Sequence, residues 1–280
     1  MFVVFDIGGT KTRIALSKNG ETFAEPFVFH TEKKFSTQLG NMLDAVDQLG
    51  ERRKITALAG GIAGPLDPPK TKLLNSSNLP KEWLAVPIKQ ELETAFGVPV
   101  YLENDTALVG LGEAVRGAGK GGGYELIAYI TISTGVGGVR IVDGKIDKRR
   151  VGFEPGRHII NYTDPKDGTA EAYLSGRALE ARSGMRAYEI KSKEVWETEA
   201  RILAVFLNNV TVFWSPDVII LGGSMITGDP AIPISVAEEH LKKLLKIFPE
   251  IPPIKKGTLG DFGGLHGALE FLKQNGFKIT

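Results

Sequence analysis

Phe2-Val-Val-Phe-Asp6-Ile-Gly8-Gly9-Thr10-Lys11-Thr12-Arg13-Ile-Ala-Leu-Ser17 opens the chain, and the remainder answers to it. Four apolar or aromatic residues run into Asp6, a glycine pair turns the backbone, and an alternating segment from Thr12 to Ser17 leads away. That order predicts a β-hairpin with a tight Gly-Gly turn. The chemistry sits at the tip. Glycines without Cβ let backbone N–H groups approach an anion closely, while Thr10 offers a hydroxyl and Lys11 a point positive charge, a set that suits phosphate. A carboxylate at Asp6, beside that loop, would repel bare phosphate, which points to Mg²⁺ or a bound water between them. The loop is not a Walker A motif, because G-x-x-x-x-G-K-[ST] is absent, nor a dinucleotide fingerprint, because no G-x-G-x-x-G opens a helix after it. Asp-x-Gly-Gly is also an ordinary hairpin turn, so a partner later in the chain has to decide.

The 280 residues, 42% hydrophobic and 24% charged, can bury a substantial core in one large domain or two, and two lobes are favoured. A formal net charge of +1 gives no electrostatic reason to expect nucleic acid or an anionic membrane as partner. Lys148-Arg149-Arg150 reads as a solvated turn. Cysteine is absent, which excludes disulfides and thiolate metal sites and fits a reducing compartment. No signal-peptide pattern and no run of membrane-spanning length is present, so the cytoplasm is the expected location.

After the hairpin, Lys18-Asn19-Gly20 reads as a turn and residues 22–29 as a third strand. Ser36 is placed to cap a helix carrying Leu39, Met42, Leu43, Val46 and Leu49, closed by Gly50. A strand at 55–59 ends in the glycine-rich loop Gly60-Gly61-Ile-Ala-Gly64-Pro-Leu-Asp67. A loop with Asn75, Asn78 and Pro80 follows, then an amphipathic helix at 88–96 stopped by Gly97. A strand at 98–102 runs into Glu103-Asn104-Asp105-Thr106 and a small-residue helix to about Gly117. The glycine-rich run at 119–123 reads as a domain boundary. Beyond it the opening repeats: strand 126–132, glycine turn Ser133-Thr134-Gly135-Val-Gly137-Gly138, strand 139–142 and an Asp143-Gly144 turn. Helices follow near 170–182, 194–213 and 236–248, with strands at 218–221 and 254–258, the Gly222-Gly223-Ser224 turn, Gly263-Gly264 and a terminal helix at 265–273. Each half reads β-hairpin, β, α, β, α, which looks like an internal duplication. Two such lobes facing each other would bring both glycine hairpins to one cleft, holding a triphosphate from two sides. Right-handed crossovers make each sheet mixed, with helices on both faces.

Eight segments carry a resemblance: Asp6-Ile-Gly-Gly-Thr-Lys-Thr12, Gly61-Ile-Ala-Gly-Pro-Leu-Asp67, Asn78-Leu-Pro, Glu103-Asn-Asp105-Thr-Ala, Ile132-Ser-Thr-Gly-Val-Gly137-Gly138, Glu154-Pro-Gly-Arg-His158, Glu171-Ala-Tyr-Leu-Ser-Gly176-Arg177 and Pro216-Asp-Val-Ile-Ile-Leu-Gly222-Gly223. In this order, from residue 1 to about 275, the chain resembles the ROK sugar kinases of the actin/hexokinase-like superfamily. The resemblance implies an α/β, two-lobed actin/ribonuclease H-like fold, each lobe a mixed sheet flanked by helices, with a cleft between the lobes. Residues 1–118 form the small N-terminal lobe, completed by a C-terminal helix at 265–275, and 119–264 the larger lobe. It implies transfer of the γ-phosphoryl of MgATP to a hexose, glucose O6 first, with N-acetylmannosamine, N-acetylglucosamine, fructose or allose as alternative acceptors and polyphosphate as an alternative donor.

Roles carry over residue by residue. Asp105 takes the place of the catalytic base, and the same residue is suited to cap a helix. Asn78, Asn104, Asp105, Glu154, His158 and Glu171 fall at sugar-binding positions, where amides and carboxylates satisfy hydroxyls that both donate and accept. Asp6, Gly8, Gly9, Thr10 and Lys11 form the first phosphate loop, with Asp6 on Mg²⁺ through water. Thr134 and Gly135 belong to the second phosphate loop, and Gly222 and Gly223, with Gly263-Gly264, lie under adenosine. Sugar and ATP are the implied partners, without nucleic acid or membrane, and the larger lobe with its apolar helix near 195–213 is the implied surface of a homodimer. Repressors in the family add an N-terminal DNA-binding domain, for which an Asp6 only six residues from the start is expected to leave no room; a non-catalytic sugar-binding regulator is a further alternative. Two departures stand out. Arg157 interrupts the family's Glu-x-Gly-His, in a position to turn His158 away from sugar. The cysteine cluster that binds zinc in many members is missing from the stretch Asn161 to Thr169, so no zinc is expected there. That loop is left to Pro165, to turn hydrogen bonds of Asn161 and Asp164, or to sugar.

Overall fold

The computed structural model describes residues 1–49, 54–76, 78–164 and 166–277; the expected cap Gly50 and the loop residue Pro165 lie outside them. The chain forms two compact units. The first comprises Met1–Val115, Lys148–Gly152 and Asp261–Thr280, and the second Arg116–Asp147 and Phe153–Gly260.

In the first unit β1 (Phe2–Ile7), β2 (Lys11–Ser17) and β3 (Phe27–His30) form an antiparallel meander. After α1 (Phe35–Gln48), β4 (Ala57–Ile62) adds parallel to β1; after α2 (Ile88–Phe96), β5 (Val100–Asn104) adds parallel to β4 and runs directly into α3 (Asp105–Val115). The strand order is β3-β2-β1-β4-β5. All six residues of β1 are buried, as a strand covered on both faces requires.

The second unit repeats this plan. β6 (Leu126–Ile132), β7 (Val136–Val142) and β8 (Lys145–Ile146) form the meander. The helices α4 (Ala170–Leu174), α5 (Gly176–Ser183) and α6 (Lys193–Trp214) precede β9 (Val218–Gly222), which is parallel to β6. Then α7 (Ser224–Thr227) and α8 (Ile234–Leu244) lead to β10 (Ile254–Lys256), parallel to β9. The order β10-β9-β6-β7-β8 is the first sheet's order read from the other edge, so the expected duplication is real at the level of topology. The chain then returns to the first unit with α9 (Gly263–Gln274), where Gly267 lets the helix backbone meet the Leu108 carbonyl of α3. No helix of the described residues is long and apolar enough to cross a membrane.

Several boundaries differ from the sequence reading, each for a physical reason. Residues 22–26 are not strand: Asn19 Oδ1 accepts the N–H groups of Glu21 and Thr22, and Pro26 has no N–H for a ladder. α1 begins at Phe35 behind Lys34 rather than at a Ser36 cap, because Phe35 packs edge-on against the buried Trp83 with ring centroids 5.1 Å apart. Gly60 and Gly61 lie inside β4 rather than in a loop. The space a Cβ would need at Gly60 is filled by the Phe5 ring. The helix expected at 170–182 is interrupted at Ser175, where Gly176 N–H turns away to the Ser133 carbonyl at 2.7 Å and Ser175 Oγ caps the next helix. Arg149 is not in a solvated turn: its side chain is 14% exposed and pairs with Glu103.

Candidate functional site

Parallel pairing sets Asp6 beside Gly61 and Gly61 beside Glu103, so the C-terminal ends of β1, β4 and β5 lie side by side. Side chains at such strand ends are a common location for ligands in α/β sheets. Asp105 opens α3 immediately beyond β5. A methyl group on Gly61 would come within 2.8 Å of Asp105 Cα, and one on Gly264 within 3.1 Å of Asp6 Cγ. Glycine at these two positions therefore lets α3 and α9 seat against the strand ends. Asp6 is 3.5 Å from Arg13, its cross-strand neighbour, and Arg13 also reaches Asp261 at 3.4 Å. Burial, then the Asp105 charge, outweighs Arg13 and pushes the Asp6 carboxyl up to about 7. Burial likewise raises Asp105, against hydrogen bonds that include the Thr106 N–H at 2.7 Å. Two desolvated carboxyl groups with one guanidinium between them and Asp261 leave a shortage of positive charge.

That shortage and the oxygen donors fit Mg²⁺, which takes one or two carboxylates and leaves its other positions to water and phosphate. Among the described residues no group of three or more His, Cys, Asp or Glu side chains is arranged to hold a metal by itself.

The first glycine turn is closed by Gly8 N–H to the Lys11 carbonyl at 3.0 Å, with Gly9, Thr10 and Lys11 exposed. Its support was not evident from sequence. Thr31 Oγ1 donates to the Gly8 carbonyl at 2.7 Å, Thr12 and Thr31 hydroxyls meet at 3.0 Å, and the fully buried Gln38 donates to Thr12 Oγ1 at 2.9 Å. Gln38 Oε1 accepts the Glu32 N–H at 3.0 Å. The available signal was a lone amide on the apolar face of α1, between Phe35 and Met42. Asn78 lies beside this turn, since a methyl on Gly9 would come within 2.8 Å of Asn78 Cβ. Asn104 spans the β5–α3 corner, donating to the Gly64 carbonyl at 3.2 Å and accepting the Ala107 N–H at 3.0 Å.

In the second unit the glycine turn between β6 and β7 is bound to α4. Glu171 Oε2 accepts the Val136 N–H at 2.9 Å and fills the space beside Gly135, while Thr134 stays exposed. Gly156 lies against the Val136 carbonyl, and Gly223, at φ 88°, against that of Ile132; a side chain at either would collide with backbone. Gly222 lies under the Tyr129 hydroxyl. Glu154 is exposed at the start of a 3₁₀ turn, Pro155–Arg157. Arg157 pairs with Glu171 Oε1 at 3.0 Å. His158 faces the other way: its ring stacks on Phe206 with centroids 5.2 Å apart, and Nε2 lies 3.1 Å from Asn209 Nδ2. Burial lowers the His158 pKa. The cysteine-free loop is held by a hydroxyl, Tyr173, which donates to Asp164 at 2.6 Å and accepts from Asn161 at 2.8 Å; Asn161 and Asp164 also take turn N–H groups of Thr163, Lys166 and Asp167.

Known proteins resemble this chain along almost its whole length. A fructokinase of Lactococcus lactis subsp. cremoris is 26% identical, over 88% of this chain and 86% of its own. An N-acetyl-D-glucosamine kinase of Escherichia coli O1:K1 / APEC is 28% identical, over 96% and 98%. Among solved structures, a ROK hexokinase of Thermus thermophilus superposes with a TM-score of 0.81 at 27% identity, over 98% of this chain and 99% of that one. The ROK family model matches residues 2–275, from the first strand to the end of the terminal helix, and the chain belongs to the ROK family.

Proposed function

We propose that the protein is a sugar kinase that transfers the γ-phosphoryl group of MgATP to a hexose hydroxyl, with glucose O6 the first acceptor to test. The observation that carries this reading is the pair Asp6, at the end of β1, and Asp105, just beyond β5, on either side of Gly61 in the intervening β4 and both raised in pKa. Phosphoryl transfer asks little covalent chemistry of a protein and much positioning. Asp105, its carboxyl pKa raised by burial and its place set by the helix corner, accepts the proton of the sugar hydroxyl. Asp6 would hold Mg²⁺ through water, and the ion would supply charge neutralisation on the phosphates. Gly8, Gly9, Thr10 and Lys11 of the first turn, with Thr134 and Gly135 of the second, offer N–H and hydroxyl donors and one cation to the phosphates. Gly222 and Gly223 present bare backbone to adenosine. Asn78, Asn104, Glu154 and Glu171 are assigned to sugar hydroxyls. His158, engaged by Phe206 and Asn209, is assigned to orienting that segment. The relatives that act on fructose and N-acetyl-D-glucosamine support the acceptor class.

A second acceptor class has one observation in its favour. Arg157 stands at Glu171 and brings only N–H donors, which suit the carbonyl of a 2-acetamido sugar better than a hydroxyl that must also donate.

The test is ADP release with Mg²⁺ and ATP against glucose, fructose, mannose, allose and the 2-acetamido sugars, with a polyphosphate arm and the Asp105→Ala variant. One sugar should be turned over, and the variant should lose about 10²–10⁴ in kcat while binding ATP as the wild type does. Full turnover by the variant would sink the assigned base. ATP binding without turnover of any sugar would favour a non-catalytic sugar-binding protein.

A further inference from the structure

Glu103 is a carboxylate for which the proposed chemistry has no use. Its side chain is 3% exposed, and its partners come from two other segments. Lys70 Nζ lies 3.1 Å from Oε1 and donates to the Val151 carbonyl at 3.2 Å. Arg149 pairs with Oε2, and Oε1 also accepts the Asn104 N–H at 2.8 Å. A buried carboxylate is tolerated only with such pairing.

Each cation is delivered by its own device. Lys70 adopts φ 57°, a left-handed conformation unusual for a residue with a side chain, inside a turn closed by its N–H to the Asp67 carbonyl at 2.8 Å. Asp67 fixes that turn with its carboxylate, which accepts the Thr71 N–H and hydroxyl, each at 2.6 Å, and the Lys72 N–H at 3.1 Å. Arg149 arrives on Lys148–Gly152, a strap that belongs to the first unit although the residues on both sides of it belong to the second. Glu103 immediately precedes Asn104, whose amide ties the Gly64 carbonyl to the first turn of α3, and Asp105 follows. Any shift of Glu103 passes along this backbone to both.

We infer that Arg149 and Lys70 are positioning residues that fix Asn104 and Asp105 through Glu103. The inference rests on the proposed role of Asp105, because both cations are argued to act through Glu103.

The experiment uses the full chain and the variants Arg149→Gln, Arg149→Lys and Lys70→Met, with kcat, KM for sugar, KM for ATP, melting and hydrogen exchange of the 100–107 and 2–17 segments. Arg149→Gln should lower kcat about tenfold and raise the sugar KM, with the ATP KM within about twofold of wild type. Exchange should quicken at 100–107 and stay unchanged at 2–17, and Arg149→Lys should recover most of the loss. Unchanged kinetics, equal rises in both KM values with faster exchange throughout, or a Lys variant no better than Gln would each overturn the inference. If Arg149→Gln does not fold, Lys70→Met carries the same expectations. A wild type that turns over no sugar refutes the kinase reading by itself. The exchange arm then decides the inference: quickening confined to 100–107 upholds the link through Glu103, and unchanged exchange there overturns it.

Discussion

Gly61→Ala adds one methyl group at a close approach of β4 to the first turn of α3. Its carbon would stand 2.8 Å from Asp105 Cα and 3.4 Å from Asp105 N and Cβ. The obstacle is backbone in the first turn of a helix, which cannot rotate aside as a flexible side chain does. Bringing the closest approach to an ordinary 3.4 Å demands a retreat of about 0.6 Å by Asp105 or an equal bowing of β4. Overpacking of this kind costs about 1–3 kcal/mol, of which about 0.5–1 kcal/mol is offset by replacing glycine in a strand. The stability loss should thus stay within about 2.5 kcal/mol. Activity should suffer more: if a displacement of about 1 Å costs a factor of about 10², about 0.6 Å corresponds to roughly tenfold in kcat. Gly60→Ala is the comparison, because it meets the Phe5 ring on the opposite face of the same strand. It should lower stability while leaving kcat per folded molecule near wild type. Urea denaturation of both variants beside ADP-release kinetics separates the two effects. A folded Gly61→Ala enzyme with wild-type kcat would refute the claim that this glycine sets the acceptor geometry.

The Asp6 carboxyl, raised to about 7, holds a proton in the folded chain that the unfolded chain releases near 3.8. Its contribution to stability is therefore full below pH 3.8 and disappears as pH rises through 7, on the order of 4 kcal/mol by linkage. Asp6→Asn should flatten that slope in metal-free melting curves between pH 4 and 8, and an unchanged slope would contradict the assignment. Mg²⁺ should raise the melting temperature of the wild type more at pH 8 than at pH 5, since only the ionised carboxylate attracts it. Gln38→Leu strands the Glu32 N–H and takes one donor from the Thr12 hydroxyl, which keeps Thr31, and should cost about 1–3 kcal/mol in denaturant titration. It should also weaken ATP binding by loosening the Gly8 turn; calorimetry that finds unchanged ATP affinity would remove Gln38 from the site's support.

Local signals carried the fold a long way. Gly8-Gly9 beside an apolar run and Ser133 to Gly138 beside another announced the same meander twice, and the two sheets do share one strand order. Asp105 was readable as a helix-opening residue after a strand because that juncture is written in consecutive residues. What sequence could not show depends on distant partners. Gln38 gains a role only through Thr12 and Glu32, which the fold brings to its amide from outside α1. Arg149 sat in a run of three basic residues, and only a buried Glu103, far away in sequence, makes it an interior residue. The start of α1 followed the ring contact of Phe35 with Trp83, another long-range event, rather than the nearer hydroxyl of Ser36. Arg157 and His158 are consecutive, yet one turns to Glu171 and the other to Phe206, a difference set by backbone course.

The first unit is assembled from three separated stretches of chain, the last of which contains α9. That helix covers β1 and β4, packs along α3 and sets Gly264 against Asp6. During synthesis the first strand must therefore wait for part of its cover until α9 has left the ribosome. The second unit, almost continuous between residues 116 and 260, has all its strands available before then. Order of emergence thus favours the second unit as the first to close, and makes α9 the piece that completes the first unit.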